Sequence, residues 1–373
     1  MVGLGAALLL MLATTGWFLL AMLPALHEHF ARKDVSPLRV ASAAADVRYF
    51  GLSFQAFVTK QLASLRGRAG TTLPHVTTLT DESPAWYAPR PEGASSLTEI
   101  FAHASADEVA TGLVVMAEGG LHARNGVQVL KELYTGGSLD AGANCIFRAV
   151  LAQDNATLGP NCEVLRWVST GGTFSAGTGT ALWGRASSWG TMSLSDGVTF
   201  QRIAAPRIEM GSPVRDIPRD MRRRPEMKAT ENVSIIASRW LVTGDFSVPA
   251  GESVPTDLIV SGTLRVGNGA QVHGAVRCDV LIAGDDCVFT RSVIGAKRLG
   301  FGAGCHITGP IVVEGEATFG DDSRIGDSDA ATTISAVTVR VGNGVVACGE
   351  VWVRQQGIVL AVRPEITTAS SAA

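Results

Sequence analysis

The chain has 373 residues and a net charge of −3, with 17% charged and 6% aromatic side chains. That length holds two or three ordinary domains, and the balanced charge excludes a global field that would gather nucleic acid. The 42 glycines, set among many Val, Ile, Ala and Thr residues, favour a repetitive β architecture over a helical enzyme.

Residues 1–26, MVGLGAALLLMLATTGWFLLAMLPAL, carry no charged side chain. An apolar run beyond ~18 residues reads as a transmembrane helix. The competing reading is a cleaved signal peptide. That would call for a basic start and an apolar stretch of only ~7–15 residues, and neither is present. Arg32, Lys33, Arg39 and Arg48 follow the run, so the positive-inside tendency places the body in the cytoplasm, behind a single pass of the inner membrane. The six cysteines lack CxxC spacing. They indicate neither a zinc site nor a disulfide scaffold, and no metal or cofactor is expected.

Residues 27–68 hold a juxtamembrane linker with Pro37, then an amphipathic helix. Val47, Phe50, Phe54, Val58, Leu62 and Leu65 recur at helical spacing, and Arg48, Lys60, Arg66 and Arg68 make the other side basic. Two readings stand: a helix lying on the anionic leaflet, or a helix packed on the body or a partner. Residues 69–107, rich in Thr, Pro, Ser and Gly, read as a linker.

From residue 108 short alternating runs appear, punctuated by Gly, Asn and Asp. In a first block, 108–210, the punctuation falls at Asn125, Gly142, Gly159, Gly177 and Asp196; in a second, 244–363, it falls at Gly251, Gly267, Gly284, Gly302, Gly320 and Gly342. A period of about 17–18 residues with strands this short predicts a β-helix, a solenoid whose rungs stack ~4.8 Å apart. Gly or Asn would supply positive φ at the corners. Cys145, Cys162, Cys287 and Cys305 each sit three residues past a marker. Thr180, Ala270, Ser323 and Val345 share that offset. The position therefore reads as a narrow inward corner, with Cys filling it as a small hydrophobe.

The connection, 211–243, breaks the period. It carries Pro213, Pro218 and Pro225 with Arg219, Arg222, Arg223 and Arg224, a basic cluster for which a solvated linker, acidic lipid or a partner are the competing readings. The tail, 364–373, reads as disordered.

The second block, over 245–360, resembles the bactofilin family of polymer-forming bacterial cytoskeletal proteins. The residues that carry this are LIVSGTLRVGNGAQVHGAVRCDVLIAGDDCVF and ITGPIVVEGEATFG. The resemblance implies a compact β-helix that assembles end to end into filaments without bound nucleotide, as a membrane-associated scaffold for envelope-building machinery. Members of the family carry one β-helix between disordered tails, whereas this chain has an apolar N-terminal run and two blocks.

Three chemical alternatives arise from the residues. Val266, Val272 and Cys278 are spaced by six, as in hexapeptide-repeat acyltransferases, which need a His base at a cleft; His122, His273 and His306 are the candidates, with His273 and His306 expected to face solvent. Asp285, Asp286, Asp321 and Asp322 occupy equivalent corners, either as a cation-holding ladder or as turn residues. No phosphate loop, HExxH or GxSxG motif is present. The last rungs, VTVRVGNGVVACGEVWVRQQGIVLAV, have little capping charge, so an end contact is expected there, with a second copy, a helix or a partner. The reading is a membrane-anchored, bactofilin-like scaffold that is not an enzyme. It would assemble end to end with itself and recruit envelope or polysaccharide machinery, with no nucleic acid partner. An acyltransferase and a non-polymerising adaptor subunit of a polysaccharide synthesis or export complex are the alternatives.

Overall fold

The structure, a computed structural model, describes residues 46–67, 73–89, 95–97, 110–212 and 224–361, with residues 5, 11, 14–17 and 20. Met1–Asp46 and Val47–Ala373 are separate compact units. The apolar run over 1–26 lies almost wholly outside the described residues, as does the 364–373 tail. Among the described residues no helix is long and apolar enough to cross a membrane.

The second unit is a β-solenoid of about 13 turns. Each rung has three sides. In the first block, face A carries Val114–Ala117 and its successors, face B Leu121–Ala123 and its successors, and face C the short strand that follows each corner. Rung stacks on rung in parallel register: Leu139 pairs with Ala156, which pairs with Phe174, which pairs with Met192. The second block repeats the plan, with Leu258, Val276, Val293 and Ile311 in one column. Alternate residues point inward and form one apolar core through both blocks. Phe289, Phe301 and Phe319 stack up its axis, with centroids 5.5 and 5.3 Å apart.

The two blocks meet tail to tail. The last strand of the first block, Thr199–Met210, pairs antiparallel with the last strand of the second, Val345–Val359, on all three sides. Phe200 faces Gly357, Ile203 faces Val351 and Met210 faces Val345. The apolar last rungs thus find their end contact inside their own chain. The second block therefore begins at the far end of the rod and runs back. The chain leaves the junction at Ser212, whose N–H donates to Asn343 Oδ1 (3.4 Å), and the described chain resumes at Arg224, whose N–H donates to Gln271 Oε1 (3.4 Å).

Both outer ends carry a strand where a linker was expected. His75–Thr78 folds back antiparallel on Pro84–Ala88, and Val233–Ile236 does the same on Arg239–Val242. Both hairpins lie on face A. The signals were short: Pro, Thr and Ser punctuate the first hairpin, and the second turns at Ala237–Ser238 with φ of 48° and 61°, residues that rarely take up the left-handed region. The rod thus has a pseudo-two-fold through the junction, with a hairpin at each end.

Helix α1 (Tyr49–Gly67) breaks this symmetry. It lies along face A of the first block only. Val58, Leu62 and Leu65 are buried against Tyr87, Met116, Tyr134, Leu151 and Trp167, and Phe54 meets Trp167 edge-on at 5.6 Å. Gly51 fits where a Cβ would press on Ser169. Two of the basic residues assigned to the free side are engaged: Arg48 lies 4.4 Å over Trp189, and Arg66 pairs with Glu118 at 2.7 Å.

Gly357 sits where a Cβ would overlap the Phe200 ring across the junction. Gly357→Val is expected to cost about 1–3 kcal/mol by overpacking. Hydrogen exchange should locate the loss: amides of 199–210 and 345–359 lose protection, while those near Phe147 and Phe289 keep theirs. A uniform loss along the rod would contradict a discrete junction.

Candidate functional site

The corners between faces B and C are the most repeated element of the chain. Each is a tetrad in which three positions have separate jobs. The marker glycine is there for closeness and not for φ: a Cβ on Gly159, Gly177, Gly302 or Gly320 would strike backbone of the rung below. Positive φ comes two residues later, at Asn144 (58°), Asn161 (56°), Asp286 (57°) and Asp322 (57°), and at glycine in the other rungs. Gly and Asn supply positive φ at these corners as expected, Asp does so at 286 and 322, and among the marker glycines Gly251 (69°) alone takes it itself.

The third position, three past the marker glycine, is buried at Cys145, Cys162, Thr180, Ala270, Cys287, Cys305, Ser323 and Val345, as a narrow inward corner requires. Its side chain also donates. Cys162 Sγ reaches Gly142 O at 3.1 Å, Thr180 Oγ1 reaches Gly159 O at 3.1 Å, Cys287 Sγ reaches Gly267 O at 3.2 Å, Cys305 Sγ reaches Gly284 O at 3.2 Å, and Ser323 Oγ reaches Gly302 O at 3.2 Å. Cys, Thr and Ser alternate because each supplies a small X–H group aimed at the carbonyl one rung below. A thiolate would repel that carbonyl, so each of these contacts favours the protonated sulfur. Within each stacked pair the contact itself raises the pKa of Cys162 and Cys305, with burial adding to it, and pushes Cys145 and Cys287 the other way. All six cysteines are free and buried.

The acidic corners serve the same stacking. Asp285 Oδ1 accepts from the N–H of Ala303 at 2.8 Å, and Asp321 Oδ1 accepts from the N–H of Asn343 at 2.9 Å. Asn125, Asn268, Asp245 and Asp257 make the equivalent bond to the next rung. The corner bends the chain away from the regular ladder and leaves an N–H that a short acceptor side chain satisfies. Among the described residues no group of three His, Cys, Asp or Glu is placed to hold a metal ion.

The three histidines are not brought together. His122 is exposed in the first block, 3.3 Å from Asp140 Oδ2. His306 faces outward on its strand, but its side chain is only 12% exposed, and Nε2 lies 3.1 Å from Asp327 Oδ1. His273 lies two rungs away on a neighbouring column, beside Thr290 and Thr308; its Nε2 is buried, as is His306 Nδ1, and neither atom has a hydrogen-bond partner among the described residues. Both point away from the core as expected, but they are half-buried and do not stand free in solvent. A groove on face A of the second block contains no histidine. It has a volume of about 330 Å³ and is lined by Ile259, Arg277, Cys278, Ile294, Val312 and Glu314 among others. Arg219, Arg222 and Arg223 lie outside the described residues; Arg224 is held by its backbone, whose carbonyl accepts from Ser253 Oγ at 3.1 Å.

No family model, curated protein or solved structure matches the chain. The surfaces that remain for function are the two rod ends and the outward columns.

Two outcomes test the corner chemistry. Asp321→Ala is expected to cost about 1–2 kcal/mol by stranding the Asn343 N–H. Asp321→Asn should keep most of that stability, and Ca²⁺ should leave the melting temperature unchanged; a Ca²⁺-dependent rise abolished by Asn would restore the cation ladder. Burial pushes the Cys278 thiol up to about 12, with the Asp279 charge adding to it. The folded chain then keeps this proton longer than the unfolded chain, so the contribution is whole below the ordinary thiol range of about 8.5 and is lost as pH rises towards 12. Cys278→Ala should flatten this alkaline limb in pH-dependent denaturation.

Proposed function

We propose that the chain is a structural scaffold, a bactofilin-like rod that is held at the inner membrane by residues 1–26 and assembles through its ends. The observation that supports this most is the central junction. There two terminal rungs of this chain satisfy each other edge to edge on all three sides, so its rung edges are adhesive without any ligand. The outer ends retain open edges. Among the described residues Phe246–Val248 pairs only with the strand above it, and Ser95–Ser96 only with Leu121–Ala123. The hairpins at these ends expose Val76 on one side and Ile235 and Ile236 on the other, each 60–63% accessible. Unpaired edges beside exposed aliphatic residues favour association with another chain.

The uncharged 26-residue run and the basic residues after it support an anchor with the rod on the cytoplasmic side. Recruitment of envelope or polysaccharide machinery rests on the resemblance of the second block to bactofilins. The non-polymerising adaptor is the second reading, favoured by the bare groove on face A.

Negative-stain electron microscopy of the full chain in nanodiscs or detergent, over a range of salt, tests assembly. Strings of rods of constant width are expected, and Ile235→Lys with Ile236→Lys should reduce them at least ~10-fold, as charges do on edge strands. Single rods under every condition would leave the adaptor. A compact three-fold particle would bring the acyltransferase forward.

A further inference from the structure

The junction makes face A one continuous surface over both blocks, and the described residues cover only half of it. On the first block an outward column runs Glu132, Ala149, Trp167, Arg185 and Arg202, and α1 lies along it. Across the junction Arg202 meets Trp352, and the column continues through Ser335, Val312, Ile294, Arg277, Ile259 and Leu241. Nothing in the described chain lies along this second half. Among the described residues, the pseudo-two-fold that repeats the hairpin at both ends places no helix here.

The bare half is built like the covered one. Ile294 and Val312 are each 42% exposed. Together with Ile259 they line the groove of about 330 Å³, where Ser261, Gly295 and Ala296 keep the relief low. The outward columns on the other two faces are more polar: Gln271, Val288, His306 and Arg324 occupy one, and Thr263, Val280, Arg298, Glu316, Thr338 and Gln356 another. Apolar relief is thus concentrated on the face that a helix covers in the other half.

Charge narrows the occupant. Arg277 stands in the middle of the apolar column, between Ile259 and Ile294. It is exposed and has no ion-pair or hydrogen-bond partner among the described residues. Of the charged groups around it, Lys297 Nζ lies 2.8 Å from Asp279 and Glu316 faces Arg340, while Glu314 lines the far rung of the groove. A helix seated on the column would bury Arg277 unless it brought a carboxylate. Five rungs, from Leu241 to Val312, span roughly 19 Å at ~4.8 Å per rung, the length of about 13 helical residues.

We infer that face A of the second block is the docking site for an amphipathic helix of a partner protein, one with an aliphatic stripe and an acidic residue set to meet Arg277. The inference continues the α1 interface across the junction and does not depend on whether the rods assemble.

The probe is a fluorescein-labelled helical peptide of about 18 residues with Leu at i, i+4, i+7 and i+11 and Glu flanking the stripe, titrated against the full chain by anisotropy. Saturable binding is expected. Ile294→Asp and Val312→Asp, both at exposed positions and checked for an unchanged melting temperature, should weaken it at least ~10-fold, since each puts a charge into an apolar contact. Arg277→Glu should weaken it by a similar factor, and a peptide with Lys in place of Glu should restore binding to that variant alone. No saturable binding, or binding indifferent to Val312→Asp, overturns the site. Failure of the charge swap overturns the acidic partner. Loss of self-association in Val312→Asp without peptide, or displacement of the peptide by anionic phospholipid vesicles, would assign the face to a second copy or to a lipid surface and overturn the inference as well.

Discussion

Parallel rungs leave an unpaired strand edge wherever a stack ends, and the whole organisation of this chain follows from where those edges are satisfied. A single solenoid has two such ends. Here two solenoids are joined at their C-terminal rungs, so that Thr199–Met210 and Val345–Val359 close both edges on three sides at once. Two parallel stacks that run in opposite directions can pair only antiparallel, and the register has to absorb the corners. It shifts at Phe200/Arg202 and Ala205/Ile208, and glycine at 357 gives the Phe200 ring its room. What remains open among the described residues are two N-terminal ends, each closed on one side by a folded-back strand and unclosed on another.

Corner chemistry carries the rungs, and much of it was legible in the sequence. The period and the buried position three past each marker could both be read from the recurrence of Gly, Asn, Asp and Cys. The division of labour within the tetrad was less legible. Glycine does two unrelated things in such a chain, taking positive φ and clearing space for backbone, and composition does not separate them. The spacing held a clue: Asn144, Asn161, Asp286 and Asp322 stand two past the marker, at the position that is glycine in other rungs, as a left-handed residue would. The exchange of Cys with Thr and Ser at one offset was likewise a sign of a donor, and reading Cys there as a small hydrophobe captured its size but not its hydrogen bond.

The junction and the hairpins escaped sequence reading for a physical reason. Rung periodicity reports contacts about 18 residues apart, whereas Phe200 and Gly357 are far apart in the chain and obey no period. A closing strand and an open apolar end look the same in sequence, since both are Val-rich and uncharged. The same ambiguity attended α1. Its spacing marked an apolar face, but a membrane leaflet and the side of a solenoid offer that face the same burial. Only the partners decide, and here Trp167, Tyr134 and Leu151 are those partners.

This arrangement has a consequence for any assembly the rod enters. Because the C-terminal edges are consumed internally, no contact between copies reproduces the junction, and every end-to-end contact must use N-terminal ends. The two ends are similar in plan but differ in sequence, so contacts of like with like are isologous and close in pairs, whereas strings require both ends to engage. Meanwhile the chain enters α1 beside Trp189, one rung from the junction. Whatever precedes Val47 is therefore joined to the rod near its middle.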